Sequence, residues 1–218
     1  MDNARNSECW YHKVCRMQNS CDACIRYLEM RYLMDNSGVP KAKQIPIVMT
    51  PDDCDYETYC ALSEIKDGIL SVVENGRNIY IGGETTGNGK TSWAIKLLLK
   101  YFDEVWAGNG FRVRGYFQHV PTLFNTLKNF NEDHSALKKV LEDADLVVWD
   151  EIGGVGLSNY DYGQLLMYID NRMLNEKSNI FTSNITNSRQ LQELLGARIA
   201  SRIWNTSEIF ILNGRDKR

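Results

Sequence analysis

The residues best suited to chemistry lie in one decapeptide. Residues 82–91 read Gly-Gly-Glu-Thr-Thr-Gly-Asn-Gly-Lys-Thr. Glycines allow backbone N–H groups to turn toward phosphate oxygens, and a helix starting just beyond adds its partial positive charge. Gly87, Asn88 and Gly89 would form the cradle. Lys90 would reach the β- and γ-phosphates of ATP, and the Thr91 hydroxyl would ligate Mg²⁺. The usual spacing puts its first glycine where this chain has Glu84. Gly83 comes one residue earlier, so the loop reads as one residue longer. The plainer alternative is a glycine-rich turn before a helix.

Three further segments bear on the same chemistry. Leu146–Asp150 is an apolar run ending in an acid, followed by Glu151. Asp150 would hold the Mg²⁺ shell, and Glu151 would act as general base toward an attacking water. An acidic strand end at the surface is the alternative, but about 60 residues after a phosphate loop is where such a pair is expected. Ile180-Phe181-Thr182-Ser183-Asn184 is a second strand pattern ending in an amide. Beside the Asp150 strand, Asn184 would face the γ-phosphate and orient the water; otherwise it is a turn residue. In Gly196–Arg202, Arg198 and Arg202 are four apart on one helical face. Arg202 first, and Arg198 second, could stabilise phosphoryl charge in a neighbouring subunit, or they form a solvated basic face.

Four of the six cysteines fall in the first 24 residues: Cys9, Cys15, Cys21 and Cys24. No signal peptide precedes them, which favours a reducing compartment and metal over disulfides. Four thiolates would hold Zn²⁺ tetrahedrally, with His12 a substitute for one. Reduced, non-ligating cysteines are the alternative. Cys54 and Cys60 flank a helix start and read as structural or incidental.

The elements that must position these residues follow from periodicity. Three of the four prolines (Pro40, Pro46 and Pro51) lie between residues 34 and 55 and suggest an extended linker. The expected organisation is a metal-binding module at 1–33, a linker at 34–54 and a catalytic domain at 55–218. In the last, strand patterns at 78–82, 113–119, 146–149, 179–183 and 207–212 alternate with helical ones. One helix runs through Leu62, Ile65, Ile69 and Val72 to a stop at Asn75-Gly76. Alternation of this kind predicts an α/β fold with a parallel sheet covered on both faces. Charged residues are 24% of the 218 and the net charge is −3, which excludes a generally basic nucleic-acid coat protein. No apolar run is long enough for a membrane span, so the expected setting is the cytoplasm.

In order and spacing, GNGKT (87–91), VVWDEIG (147–153), FTSN (181–184) and GARIASR (196–202) resemble the AAA+ ATPases. They are most similar to the DnaC/DnaI-type helicase loaders and related phage replication ATPases. The resemblance covers residues 55–218. It implies a P-loop fold with a five-stranded parallel sheet, the acid strand lying between the phosphate-loop and Asn184 strands. It implies ATP and Mg²⁺ as cofactors and a homo-oligomeric ring or spiral with little helical lid. It also implies single-stranded DNA and a replicative DNA helicase as partners. In DnaI-type loaders an N-terminal zinc module contacts the helicase, which would give the cysteines that role. A transposition-helper ATPase shares the motifs. A small-molecule kinase would need a basic lid that is not evident, and a nucleotide-gated helicase inhibitor would not need Glu151. DNA contact from Arg112, Arg114, Tyr116, Phe117 or the lysines at 128, 138 and 139 is not specific in the sequence.

Overall fold

The computed structural model describes residues 9–11, 15, 24–45, 47–105, 112–129 and 131–217. Five strands form one parallel sheet: β1 (Asn78–Gly82), β2 (Gly115–His119), β3 (Leu146–Asp150), β4 (Ser178–Ser183) and β5 (Ser207–Ile211). Their order is β2-β3-β4-β1-β5. The Asn184 strand therefore lies between the acid strand and the phosphate-loop strand. This corrects the expected order, in which the acid strand held the middle place. Motif spacing along a chain does not encode lateral order in a sheet.

Helices cover both faces. On one side lie α1 (Ile25–Asp35), α2 (Tyr56–Asp67), α3 (Ile69–Glu74) and α4 (Lys90–Glu104). They pack on Ile79, Ile81, Leu146, Val148 and Ile180, the side chains that strand alternation sends to that face. On the other side lie α5 (Val120–Leu127), α6 (Ser135–Asp143), α7 (Asn159–Leu174), α8 (Ser188–Leu195) and α9 (Ala197–Trp204). These cover Tyr80, Val147, Trp149 and Phe181. Burial on both faces explains why β1, β3 and β4 are buried at every position.

Local signals set the helix ends. Ser158 accepts from the backbone N–H of Asp161, and the Asp161 carboxylate accepts from that of Ser158, a reciprocal cap for α7. Asn187 caps α8 by accepting from the N–H of Gln190 at 2.9 Å. The helix expected through residues 62–72 breaks at Gly68 into α2 and α3, both of which keep their apolar positions on the core.

The 34–54 stretch is not a free extension. Met34 and Val39 are buried in the same core as α4. The carbonyl of Ser37 accepts from the N–H of Phe117 at 2.6 Å, satisfying part of the exposed edge of β2. Helix α1 likewise buries Met30 and Leu33 in that core. Proline content removed donors from this stretch without removing its apolar anchors.

At the amino ends of the strands, Arg172 is 1% exposed. Its guanidinium donates to Asn179 Oδ1 (2.7 Å) and to the carbonyls of Leu141, Ala144 (both 2.8 Å) and Ser178 (2.6 Å). Burial lowers its pKa to about 9, which leaves it charged at neutral pH.

Candidate nucleotide site

At the opposite, carboxyl ends, β1 feeds the loop 83–89, and α4 begins at Lys90. Gly87 and Gly89 have φ of +80° and +105°, conformations that suit glycine. A Cβ on Gly83 would lie 2.4 Å from the carbonyl oxygen of Leu212 and 2.5 Å from Asn88 Nδ2. Close approach thus requires glycine at 83. Glu84 is not in the left-handed region, so the loop's departure from the common spacing is accommodated.

Lys90 is 8% exposed and folds back over the loop. Its ammonium donates to the carbonyls of Gly83 (2.7 Å) and Thr85 (2.9 Å) and to Asn88 Oδ1 (3.0 Å). A phosphate group would offer this cation an anionic partner in place of neutral oxygens. Asp150 Oδ1 accepts from the hydroxyl of Thr91 at 2.8 Å and from that of Thr182 at 2.7 Å. A hydroxyl and a carboxylate this close are hard oxygen donors suited to Mg²⁺, which keeps several waters and takes few protein ligands. The residues therefore fit the ion, and Thr91 and Asp150 would hold it.

Glu151 follows in the left-handed region, φ +59°. A non-glycine residue held there is strained, and such strain gathers at functional sites. Its N–H donates to Thr182 Oγ1 at 3.0 Å, and its carboxylate meets His119 Nε2 at 3.1 Å. His119 is fixed in turn by Thr122 Oγ1, 2.7 Å from Nδ1. Asn184 is exposed just beyond β4, on the strand adjoining β3.

One cleft of about 610 Å³ gathers Lys90, Thr91, Asp150, Glu151 and Asn184, with Gly87, Asn88 and Gly89 on its floor. His119 and Thr182 also line it, and Pro40 and Lys43 come from the segment before α2. Reading the sequence missed His119 and Thr182. The signal for His119 was its register opposite Asp150 at the end of β2, which only pairing reveals.

The arginines lie elsewhere. Arg198 and Arg202 sit on α9 and pair with Asp170 of α7 at 3.1 and 2.7 Å, and neither lines the cleft. Of the DNA-contact candidates, Arg112 and Arg114 pair with Asp145 at 3.1 and 2.8 Å, and Phe117 is buried.

The expected zinc tetrad is not assembled by its described members. Cys9, Cys15 and Cys24 are half-buried. Among the described residues no three His, Cys, Asp or Glu converge on a possible metal position. Cys21 and His12 lie outside the described residues. What the segment does show is packing: Trp10 and Tyr11 lie against the core of α4. The Tyr11 hydroxyl donates to Asp103 at 2.9 Å, with the Arg26 guanidinium 4.3 Å from its ring centre. No described helix is long and apolar enough to cross a membrane.

A phosphate loop, an adjacent Asp-Glu strand end and a five-stranded parallel sheet define an AAA+ type ATP-binding domain. The sequence matches the family of IstB-like ATP binding proteins over residues 34–213, and the chain belongs to that family. The match begins in the stretch expected to be a linker, as the packing of Met34 and Val39 would require. Solved structures repeat the fold. A DnaC helicase loader is similar at TM-score 0.64 and 24% identity, over 76% of this chain and 94% of that one. DnaI is similar at TM-score 0.62 and 18% identity, over 84% and 93%. A replication initiator DnaA bound to AMPPCP and single-stranded DNA is similar at TM-score 0.56 and 16% identity, over 76% and 47%. No curated protein matches the sequence.

Proposed function

We propose that the protein hydrolyses ATP to load a replicative DNA helicase onto single-stranded DNA. The observation that carries the ATPase part is Asp150 Oδ1 shared by Thr91 and Thr182, beside Lys90 and Glu151 in one cleft. Lys90 and the loop N–H groups hold the phosphates, and Thr91 and Asp150 would hold Mg²⁺, which would supply positive charge against the phosphates. Glu151 takes a proton from the attacking water. As the water oxygen bonds to the γ-phosphorus, the bond to the β–γ bridging oxygen breaks, releasing ADP and phosphate. Asn184 orients that water. Arg202 and Arg198, on the exposed α9 surface, act on the nucleotide of a neighbouring copy in a homo-oligomer.

The helicase-loading part is supported by the fold shared with DnaC and DnaI, and the DNA part by the DnaA likeness. The cysteines carry no part of it. A transposition-helper ATPase is the second reading: the same Asp150 cluster and cleft would serve it, and only the partner differs.

The test is ATP turnover with and without single-stranded DNA, together with capture of purified bacterial replicative helicase. DNA-stimulated turnover that Glu151→Gln abolishes, with helicase bound, supports the loader. Turnover without helicase capture moves the reading to the transposition helper, and absence of turnover overturns the enzyme itself.

A further inference from the structure

The segment after β5 takes no part in the chemistry above, yet it touches the phosphate loop repeatedly. The N–H of Leu212 donates to the carbonyl of Gly82 at 2.8 Å. Its own carbonyl accepts from Asn88 Nδ2 at 2.9 Å. Five residues later, the N–H of Lys217 donates to the carbonyl of Gly87 at 3.1 Å. Between these points the chain is held by two acids that precede α2. The N–H groups of Asn213 and Gly214 donate to Asp55 Oδ1 and Oδ2 at 2.6 and 2.8 Å. Gly214 is buried, and a Cβ there would fall 2.3 Å from Asp52 Oδ2 and 2.5 Å from Asp55 Oδ2. The Lys217 ammonium donates to the carbonyl of Thr50 at 2.7 Å and pairs with Asp52 at 3.4 Å.

Asn88 links these contacts to the phosphate-binding group. Its Nδ2 is spent on Leu212, which turns its Oδ1 toward the Lys90 ammonium, 3.0 Å away. Asn88 is 2% exposed, so an amide left unpartnered there would be costly.

We propose that residues 212–217 form a strap that sets the shape of the phosphate loop, with Asp55, Gly214 and Lys217 as its positioning residues. The strap acts at two places, on Lys90 through Asn88 and on the Gly87 carbonyl directly. It ties the loop to residues 50–55, which no reading of the motif alone would connect to it. The inference rests on the ATP site proposed above.

The experiment measures affinity for a fluorescent ATP analogue with Mg²⁺, then KM and kcat for ATP, with thermal unfolding of each variant alongside. Lys217→Ala removes the anchor to Thr50 and Asp52. Lys217→Pro deletes the N–H that reaches Gly87. Gly214→Ala lifts the chain off Asp52 and Asp55. The expected result is a rise of about fivefold in Kd and KM, the worth of one net hydrogen bond, with kcat within about twofold of wild type. Lys217→Arg, which keeps the cation and a long stem, restores both. Wild-type affinity in folded Lys217→Ala and Lys217→Pro proteins overturns the strap, as does a loss of kcat with KM unchanged. If the wild-type chain itself fails to bind the analogue, the ATP site falls instead, which separates the two failures.

Discussion

The two ends of the sheet use the same residue types to opposite ends. At the carboxyl end Asp150 accepts from two neutral hydroxyls, Thr91 and Thr182. At the amino end Asp145 is surrounded by cations: Arg112, Arg114 and Lys177 lie at 3.1, 2.8 and 3.0 Å. Asp150 keeps its charge available for a metal, whereas Asp145 has its charge already answered. The lysine and arginine differ likewise. Lys90 holds neutral oxygens that a phosphate can displace. Arg172 is locked by Asn179 and four backbone carbonyls. Asn179 is itself saturated, accepting also from Trp149 Nε1 and donating to Asn78 and Lys177. What separates a working polar cluster from a structural one is whether its groups can exchange partners.

Substitutions at the two ends should therefore fail in different currencies. Glu151→Gln should lower ATP turnover by about 10²–10⁴-fold, the range for loss of a general base, with nucleotide affinity and thermal unfolding unchanged. Turnover within tenfold of wild type would remove Glu151 from its role. Arg172→Ala should do the reverse. It leaves three buried carbonyls without their donor, and the expected loss is about 3–5 kcal/mol of stability by denaturant unfolding. ATP affinity of the remaining folded fraction should not change. Arg172→Met sharpens the point: it fills more of the volume and buries no charge, so its cost should be smaller than that of alanine. Equal losses would mean that the polar network, rather than volume, is what Arg172 supplies.

Legibility in the sequence followed the same division. Strands and helices of the ATP-binding domain were readable because their apolar periods were clean. Gly87–Thr91, Asp150, Glu151 and Asn184 were readable because backbone turns and strand ends confine them. All of these line one cleft. Contacts between segments remote in sequence were not. The β4 strand's central place, the His119–Glu151 contact and the Arg172–Asn179 lock all depend on lateral pairing, which local pattern does not carry. Prolines at 40, 46 and 51 suggested a linker because their missing donors are visible in sequence, while the burial of Met34 and Val39 is not. The cysteine spacing suggested a zinc module, and its described members do not converge. Close sequence spacing brings thiols near one another without fixing their directions.

Acid should test the charge cluster at the amino end. Burial raises the Asp145 pKa, but Lys177, Arg114 and Arg112 outweigh it and hold the carboxyl below its usual range. A depressed folded-state value means that its contribution is complete above the ordinary carboxylate range. It is lost as pH falls through the folded value. Unfolding free energy should fall over that acidic window in the wild type, and Asp145→Asn should flatten the slope. An unchanged slope would show that other carboxylates govern acid stability.

The smallest expected effect is at the contact that joins β2 to the chemistry. His119 holds the Glu151 carboxylate through Nε2 while Thr122 holds Nδ1. Both side chains are partly exposed, so the pair contributes little to stability. Glu151 is also oriented from behind by its backbone bond to Thr182, which survives the loss of the imidazole. His119→Ala should therefore change kcat by only about two- to fivefold, leave KM near wild type and leave thermal unfolding unmoved. If kcat falls as far as in Glu151→Gln, the imidazole does more than orient the carboxylate, and the exchangeable cluster at the carboxyl end has one more member. If kcat rises, the contact restrains Glu151 away from the water, and its release becomes a step that nucleotide binding must accomplish.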